Sequence, residues 1–175
     1  MNSFVDHIQL VQGDITRAIV DAIVNAAKQK MLRGGGGDGA IHNAAGPKLL
    51  EYCKRVPAVG GVRCPTGEAR ITLAGDLHAK FVIHTVGPVY GADPDPEVLL
   101  AKAYQSSLEL AMENGCQSVA LPALSCGAYG FPWDKAAAVA LAACGRMPFQ
   151  NLSLTFYLSG DGIMHAWSQA LSEVS

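Results

Sequence analysis

Short apolar runs separated by glycine, proline and aspartate set the rhythm of this chain. Residues 7–12 alternate apolar and polar well enough for a strand, ended by Gly13-Asp14. Residues 16–21 are short and mixed. Ala22-Ile23-Val24 reads as a brief buried strand that leads towards four consecutive glycines, 34–37. From Gly39 onward Ile41, Ala44, Ala45, Leu49, Leu50 and Cys53 recur at helical spacing, with Pro47 a kink or a restart. Residues 56–67, rich in Gly and Pro, read as a loop. Residues 69–74 and 80–86 read as two strands joined through Gly75-Asp76, and residues 87–96 as another loop. Residues 97–114 carry the clearest apolar stripe, stopped by Asn114-Gly115. A strand over 118–124, interrupted by Pro122, leads into a second glycine-containing loop, SCGAYGFP, at 125–132. An alanine-rich helix (134–144), a strand (152–158) and a last helix (163–171) complete the pattern.

Strands thus alternate with helices. Those at Ala22, Lys80, Ser118 and Leu152 are continuous apolar runs, as expected of parallel strands buried on both faces. The pattern predicts an α/β fold, a mostly parallel sheet covered on both sides. Ligands in such folds bind at the carboxyl ends of the strands. Both glycine loops follow predicted strands and belong on that one rim.

Composition narrows the function. A chain of 175 residues fits one domain over 1–175. Half the residues are hydrophobic and 16% are charged, which describes a folded globule. A net charge of −2 offers no basic face to nucleic acid. No apolar run approaches the length of a membrane span, and the first ten residues, MNSFVDHIQL, have no signal-peptide pattern. Five widely spaced cysteines without a C-x-x-C pair give no zinc or redox signature, and reduced thiols in a cytoplasmic protein are expected.

The glycine loop is the strongest candidate site. Glycine lets a ligand approach bare backbone, and a helix start leaves unpaired N–H groups with partial positive charge, so an anion is suited there. Asp38, a carboxylate in that same place, needs its own explanation, and the plainest is a cap at the start of the helix. No Walker-type phosphate loop is present. Gly34, Gly36 and Gly39 match G-x-G-x-x-G only formally, because the match does not follow the first strand. Cys126 sits in the second loop, where a small packing residue is the plainer reading than a nucleophile without a neighbouring base. His42 and His84 read as structural.

Four separated segments together resemble the macrodomain family, in the branch that processes ADP-ribose. They are Gln12-Gly13-Asp14-Ile15-Thr16; Val24-Asn25-Ala26-Ala27 with the glycine loop and Asp38-Gly39-Ala40-Ile41-His42; His84-Thr85-Val86-Gly87-Pro88; and Leu121-Pro122-Ala123 with Ser125, Gly127 and Tyr129-Gly130-Phe131-Pro132. The resemblance implies a three-layer α/β/α sandwich around a six-stranded mixed, mostly parallel sheet, with an ADP-ribose cleft at one rim. It implies hydrolysis of ADP-ribosyl esters, either O-acetyl-ADP-ribose or mono-ADP-ribosylated acidic side chains of proteins, without cofactor or metal. Asp14 matches the acid that accepts from the adenine amino group, with the Ile15 backbone beside it; the alternative is a cap or turn Asp. Asn25 and the loop of Gly35, Gly36 and Gly37 match the segment at the diphosphate and distal ribose. Ser125, Cys126, Gly127, Ala128 and Tyr129 match the backbone donors to the diphosphate. Tyr129 and Phe131 either wall the distal ribose or serve packing alone. Asp38 matches the catalytic acid that orients or deprotonates a water or a ribose hydroxyl.

The chain departs from this pattern at a few positions. Lys28 stands where hydrolytic members carry a second asparagine, Arg33 where glycine is usual, and Gly37 where valine is common. Lys28 has three readings: it pairs with Asp38, reaches a phosphate, or points to solvent. It leaves open a catalytically weak ADP-ribose reader as the alternative to a hydrolase. Arg33 either strengthens phosphate binding or is a solvated loop residue. The end of the last strand, Leu158-Ser159-Gly160, lacks the aromatic that often stacks on adenine there.

Overall fold

The computed structural model describes residues 4–175. Among them six strands form one sheet: β1 (Ile8–Gln12), β2 (Val20–Ala26), β3 (Ala69–Leu73), β4 (Ala79–Thr85), β5 (Ser118–Leu121) and β6 (Ser153–Leu158). Their spatial order is β1-β6-β5-β2-β4-β3. All neighbours are parallel except β3 and β4, which form an antiparallel pair at one edge. The helices are α1 (Gly36–Ala45), α2 (Lys48–Arg55), α3 (Pro96–Glu113), α4 (Trp133–Cys144) and α5 (Asp161–Val174). The α/β/α sandwich with a six-stranded mixed, mostly parallel sheet is therefore present.

The continuous apolar strands are explained by what lies on either face. Along β2, Ala22 and Val24 enter a core shared with Leu108 of α3, Leu141 of α4 and Trp167 of α5. Ile23, between them, enters the opposite core with Ile41 of α1, Leu49 of α2 and Val82 of β4. Successive strand side chains point to opposite faces, so a two-sided sheet demands apolar residues at every position. Each buried Val, Leu or Ile among them contributes roughly 1.5–3 kcal/mol.

Boundaries shift from the sequence pattern at the first helix and at β5, each for a physical reason, and the two readings of Pro47 are resolved. The first helix starts at Gly36, before Gly39, because the backbone of Gly39 donates to the Gly35 carbonyl and closes a turn made of glycines. Pro47 is a restart: α1 ends at Gly46, φ +80°, and α2 begins after Pro47. Strand β5 stops at Leu121 because Pro122 has no N–H for the ladder. Tyr104 takes over there, donating its hydroxyl to the Pro122 carbonyl and accepting from Leu124 N–H.

The carboxyl ends of β1, β6, β5, β2 and β4 share one rim. The chain leaves β2 and β5 towards opposite sides of the sheet, so a crevice opens between the loops that follow them.

Candidate functional site

The crevice has two banks of backbone donors. On one, the β5–α4 loop, none of the backbone N–H groups of Ser125, Cys126, Gly127, Ala128 and Tyr129 donates to another described residue. The loop is held instead by its outer bonds: Phe131 N–H to Ser125 O, Gly130 N–H to Gly127 O, and Tyr90 N–H to Tyr129 O. Trp133 Nε1 donates to Cys126 O at 3.1 Å and fastens the far side. Ser125 adopts φ +65°, an unusual conformation for a non-glycine residue, of the kind that concentrates at functional turns. On the other bank, the N–H groups of Gly35, Gly36, Gly37 and Asp38 at the start of α1 also lack described acceptors. Free amides in two loops on one rim are suited to an anion.

Asp38 lies at the end of this bank and is 6% exposed. Both of its oxygens are engaged. Oδ2 accepts from Gly34 N–H at 2.7 Å, and Oδ1 accepts from Asn25 Nδ2 at 2.7 Å. His42, one helical turn on, brings Nε2 to 3.6 Å of Oδ1. Burial pushes the His42 imidazole below its ordinary value, against the pull of Asp38. Each Asp38 oxygen keeps a second lone pair for an outside proton. The helix-start reading of Asp38 and the functional one are thus compatible, because the carboxylate braces its own loop while keeping acceptor capacity.

A cleft of about 600 Å³ runs alongside, lined among others by Lys28, Lys30, Arg33, Gly34, Gly87, Asp93 and Tyr129. The stem of Lys28 lies over Gly34, its Cε 3.6 Å from where a Gly34 Cβ would sit; Asp38 Oδ2 is 3.2 Å from that same point. No ion pair joins Lys28 to Asp38 among the described residues. Lys28 is therefore a cleft wall beside Asp38. Arg33 reaches back to α1 and donates to Asn43 Oδ1, which fixes it at the cleft edge.

At the far end of the rim Asp14 follows β1. Its Oδ1 accepts from Thr16 Oγ1 (2.7 Å) and Thr16 N–H (3.0 Å), and these bonds hold its carboxyl below the usual range. The cap reading is realised for Oδ1. Oδ2 and the N–H of Ile15 make no described bond, so an acceptor and a donor stand side by side for a heterocycle edge. Asp14 lies three strand spacings from β2, about 14 Å, so the rim is suited to an elongated ligand with a base at one end.

Two residues expected to touch ligand are placed deeper. Asn25 is 1% exposed and spends its amide on Asp38. Phe131 is also 1% exposed, its ring 4.8 Å from that of Tyr90, so it is packed in the core rather than set on the cleft surface. Cys126 donates to Leu124 O, and burial pushes its thiol up to about 12, which leaves no thiolate at neutral pH. Sequence reasoning missed what surrounds His84. Its Nδ1 is 3.2 Å from Asn25 Nδ2, and its Nε2 is 3.0 Å from Thr72 Oγ1. It also missed that Gly87 underlies Ser125. Their signal was present in His84-Thr85-Val86-Gly87, a polar group and a glycine closing an apolar strand.

Comparison with known proteins gives this geometry its context. The macro domain family matches residues 24–140. A macro domain-containing protein of Vibrio parahaemolyticus is 57% identical over 166 residues, 95% of this chain and 98% of that protein. The O-acetyl-ADP-ribose deacetylase of Escherichia coli K12 is 55% identical over 135 residues, 77% of this chain and 76% of the enzyme. Among solved structures, the Oceanobacillus iheyensis macrodomain with ADP superposes with a TM-score of 0.89 at 39% identity, covering 95% of this chain and 90% of that one. The Trypanosoma brucei macrodomain in complex with ADP-ribose gives 0.85 at 36%, covering 97% and 71%.

Proposed function

The chain belongs to the macro domain family, and on that premise we propose that it binds ADP-ribose along the rim and hydrolyses ADP-ribosyl esters there. Its substrates are O-acetyl-ADP-ribose and mono-ADP-ribosylated Asp or Glu side chains. The observation that carries the reading is the braced carboxylate of Asp38 at the end of two banks of unpaired backbone N–H groups. The diphosphate lies between the amides of residues 125–129 and the start of α1. Adenine pairs with Asp14 Oδ2 and Ile15 N–H. The distal ribose with its ester then reaches Asp38. The named activity of the Escherichia coli relative and the ligands of the two solved macrodomains support this assignment.

Hydrolysis needs a water oxygen to attack the ester carbonyl carbon and the bond from that carbon to the ribose oxygen to break. The water's protons must go to the leaving oxygen and to solvent. Asp38 accepts a hydrogen bond from that water, or from the neighbouring ribose hydroxyl that relays it, and fixes its lone pair on the carbonyl. A carboxylate already taking bonds from Gly34 and Asn25 is suited to orienting the nucleophile.

Lys28 favours a second reading, a reader that holds ADP-ribose without cleaving it, because its charged stem walls the cleft beside Asp38. Calorimetry with ADP-ribose and ester turnover, run in parallel on the wild type, Asp38→Ala and Lys28→Asn, decide between them. The hydrolase reading expects wild-type turnover lost in Asp38→Ala with binding retained. Binding without turnover, gained on Lys28→Asn, overturns it in favour of the reader. No binding overturns both.

A further inference from the structure

The side chain that braces Asp38 is itself aimed by another group. Asn25 presents its Nδ2 to two acceptor positions, Asp38 Oδ1 at 2.7 Å and His84 Nδ1 at 3.2 Å. Asn25 Oδ1 is buried and has no partner. An amide nitrogen carries two protons, so it serves both positions at once only if each is an acceptor. Asp38 as a carboxylate always is. His84 Nδ1 is one only in the neutral tautomer that keeps its proton on Nε2. That proton has a place to go, because Nε2 lies 3.0 Å from Thr72 Oγ1 and 3.7 Å from Cys53 Sγ. All four partners are buried: Asn25, His84, Thr72 and Cys53. Burial also pushes the His84 imidazole down to about 3, with His42 adding to the effect, so the ring is neutral near neutral pH.

The alternative arrangement fails on charge. Turning the Asn25 amide over would set Oδ1 against the Asp38 carboxylate, acceptor against acceptor, inside the protein where such contacts are costly. A proton on His84 Nδ1 would favour that turned amide. The tautomer of His84 and the aim of Asn25 therefore specify each other, and Asp38 is held at the end of the chain.

We infer that His84 is a positioning residue for the site: as the Nε2–H tautomer backed by Thr72, it orients the Asn25 amide and, through it, Asp38. It touches no ligand. This rests on the hydrolase reading of Asp38, and it extends that reading from the carboxylate to the strand β4 beneath it.

The test uses the full chain in three forms: wild type, His84→Leu and His84→Asn. Leucine keeps much of the volume and removes the acceptor. Asparagine places its Oδ1 where Nδ1 stood and restores it. The expected result is a kcat for ester cleavage lowered about 10- to 100-fold in His84→Leu, in line with misplacing a reacting group, with ADP-ribose affinity within about twofold of wild type and kcat largely recovered in His84→Asn. Equal loss of affinity and kcat in both variants, tracking their melting temperatures, overturns the inference in favour of a purely structural His. Unchanged kcat in His84→Leu overturns it as well. Imidazole ¹⁵N shifts of the wild type give a reading that needs no turnover: Nε2–H supports the inference and Nδ1–H overturns it. A wild type that binds ADP-ribose without cleaving esters defeats the hydrolase reading alone, and the tautomer still decides this one.

Discussion

Gly87 and Ser125 are packed so closely that a Cβ on Gly87 would overlap the Ser125 hydroxyl. Gly87 follows strand β4, and Ser125 opens the loop of free amides at φ +65°. The end of one strand thus holds the donor loop of another in shape. Gly87→Ala is expected to push Ser125 outward and misalign the amides of residues 125–129. Overpacking of this kind costs about 1–3 kcal/mol, and ADP-ribose affinity measured by calorimetry should fall about tenfold or more. An affinity equal to wild type would show that the amide bank does not depend on this contact.

Asp14 caps Thr16 through Oδ1, and the adenine contact proposed for Oδ2 can be tested apart from it. Asp14→Ala removes the cap to Thr16 and the free Oδ2 together. Asp14→Ser keeps a side-chain acceptor for the cap and loses Oδ2. Stability by urea unfolding should drop by about 1 kcal/mol in the alanine variant and by less in the serine variant. ADP-ribose affinity should drop in both by about tenfold, the scale of one hydrogen bond to a charged group. Affinity lost only in the alanine variant would reduce Asp14 to a cap.

Lys28 makes no ion pair with Asp38, so its removal should leave the carboxylate in place. Lys28→Asn is expected to change ester turnover by less than about fivefold, while Asp38→Ala loses about 100-fold or more, the range of a general acid–base group. Steady-state kinetics of acetate release checks both.

The thiol of Cys126, pushed up to about 12, should resist alkylation by iodoacetamide at neutral pH while the protein is folded. Cys126→Ala should retain turnover within about twofold, since the groups proposed to act are backbone amides and Asp38. Inactivation by the alanine change would reopen a nucleophilic role.

Acid should destabilise the fold in a defined window. His84 binds its proton at about 3 when folded, against an ordinary value of 6.5. Between those values the unfolded chain takes up a proton that the folded chain refuses. Stability is therefore complete above about 6.5 and falls as the pH drops towards 3, by up to about 1.4 kcal/mol per pH unit for one group. His42, also lowered by burial, adds to the same fall. Asp21, held down chiefly by the Gln117 N–H, and Asp14, held down by Thr16, add their share only below the carboxylate range. Urea midpoints across this pH range should show a shallower slope in His84→Asn than in wild type.

Much of this protein was legible along the chain. Apolar runs without alternation specified strands covered on both faces, Gly-Asp breaks specified where β1 and β3 stop and Asn-Gly where α3 stops, because backbone and burial preferences act within a few residues. The family was legible too: the four short segments that carry the resemblance, with Asp14, Asp38 and two glycine loops, are local patterns. Local pattern could not say what each side chain faces. Asn25, expected at the ligand, is spent on Asp38, since parallel pairing of β2 with β4 sets Asn25 beside His84. Phe131, read either as a wall of the distal ribose or as packing, is buried against Tyr90. Lys28 had three sequence readings, and packing over Gly34 made it a wall of the cleft beside Asp38 without an ion pair. These outcomes depend on strand order and register between residues dozens of positions apart. Hydrogen-bond geometry and burial at that range are properties of the folded sheet, and only the tertiary structure decides them.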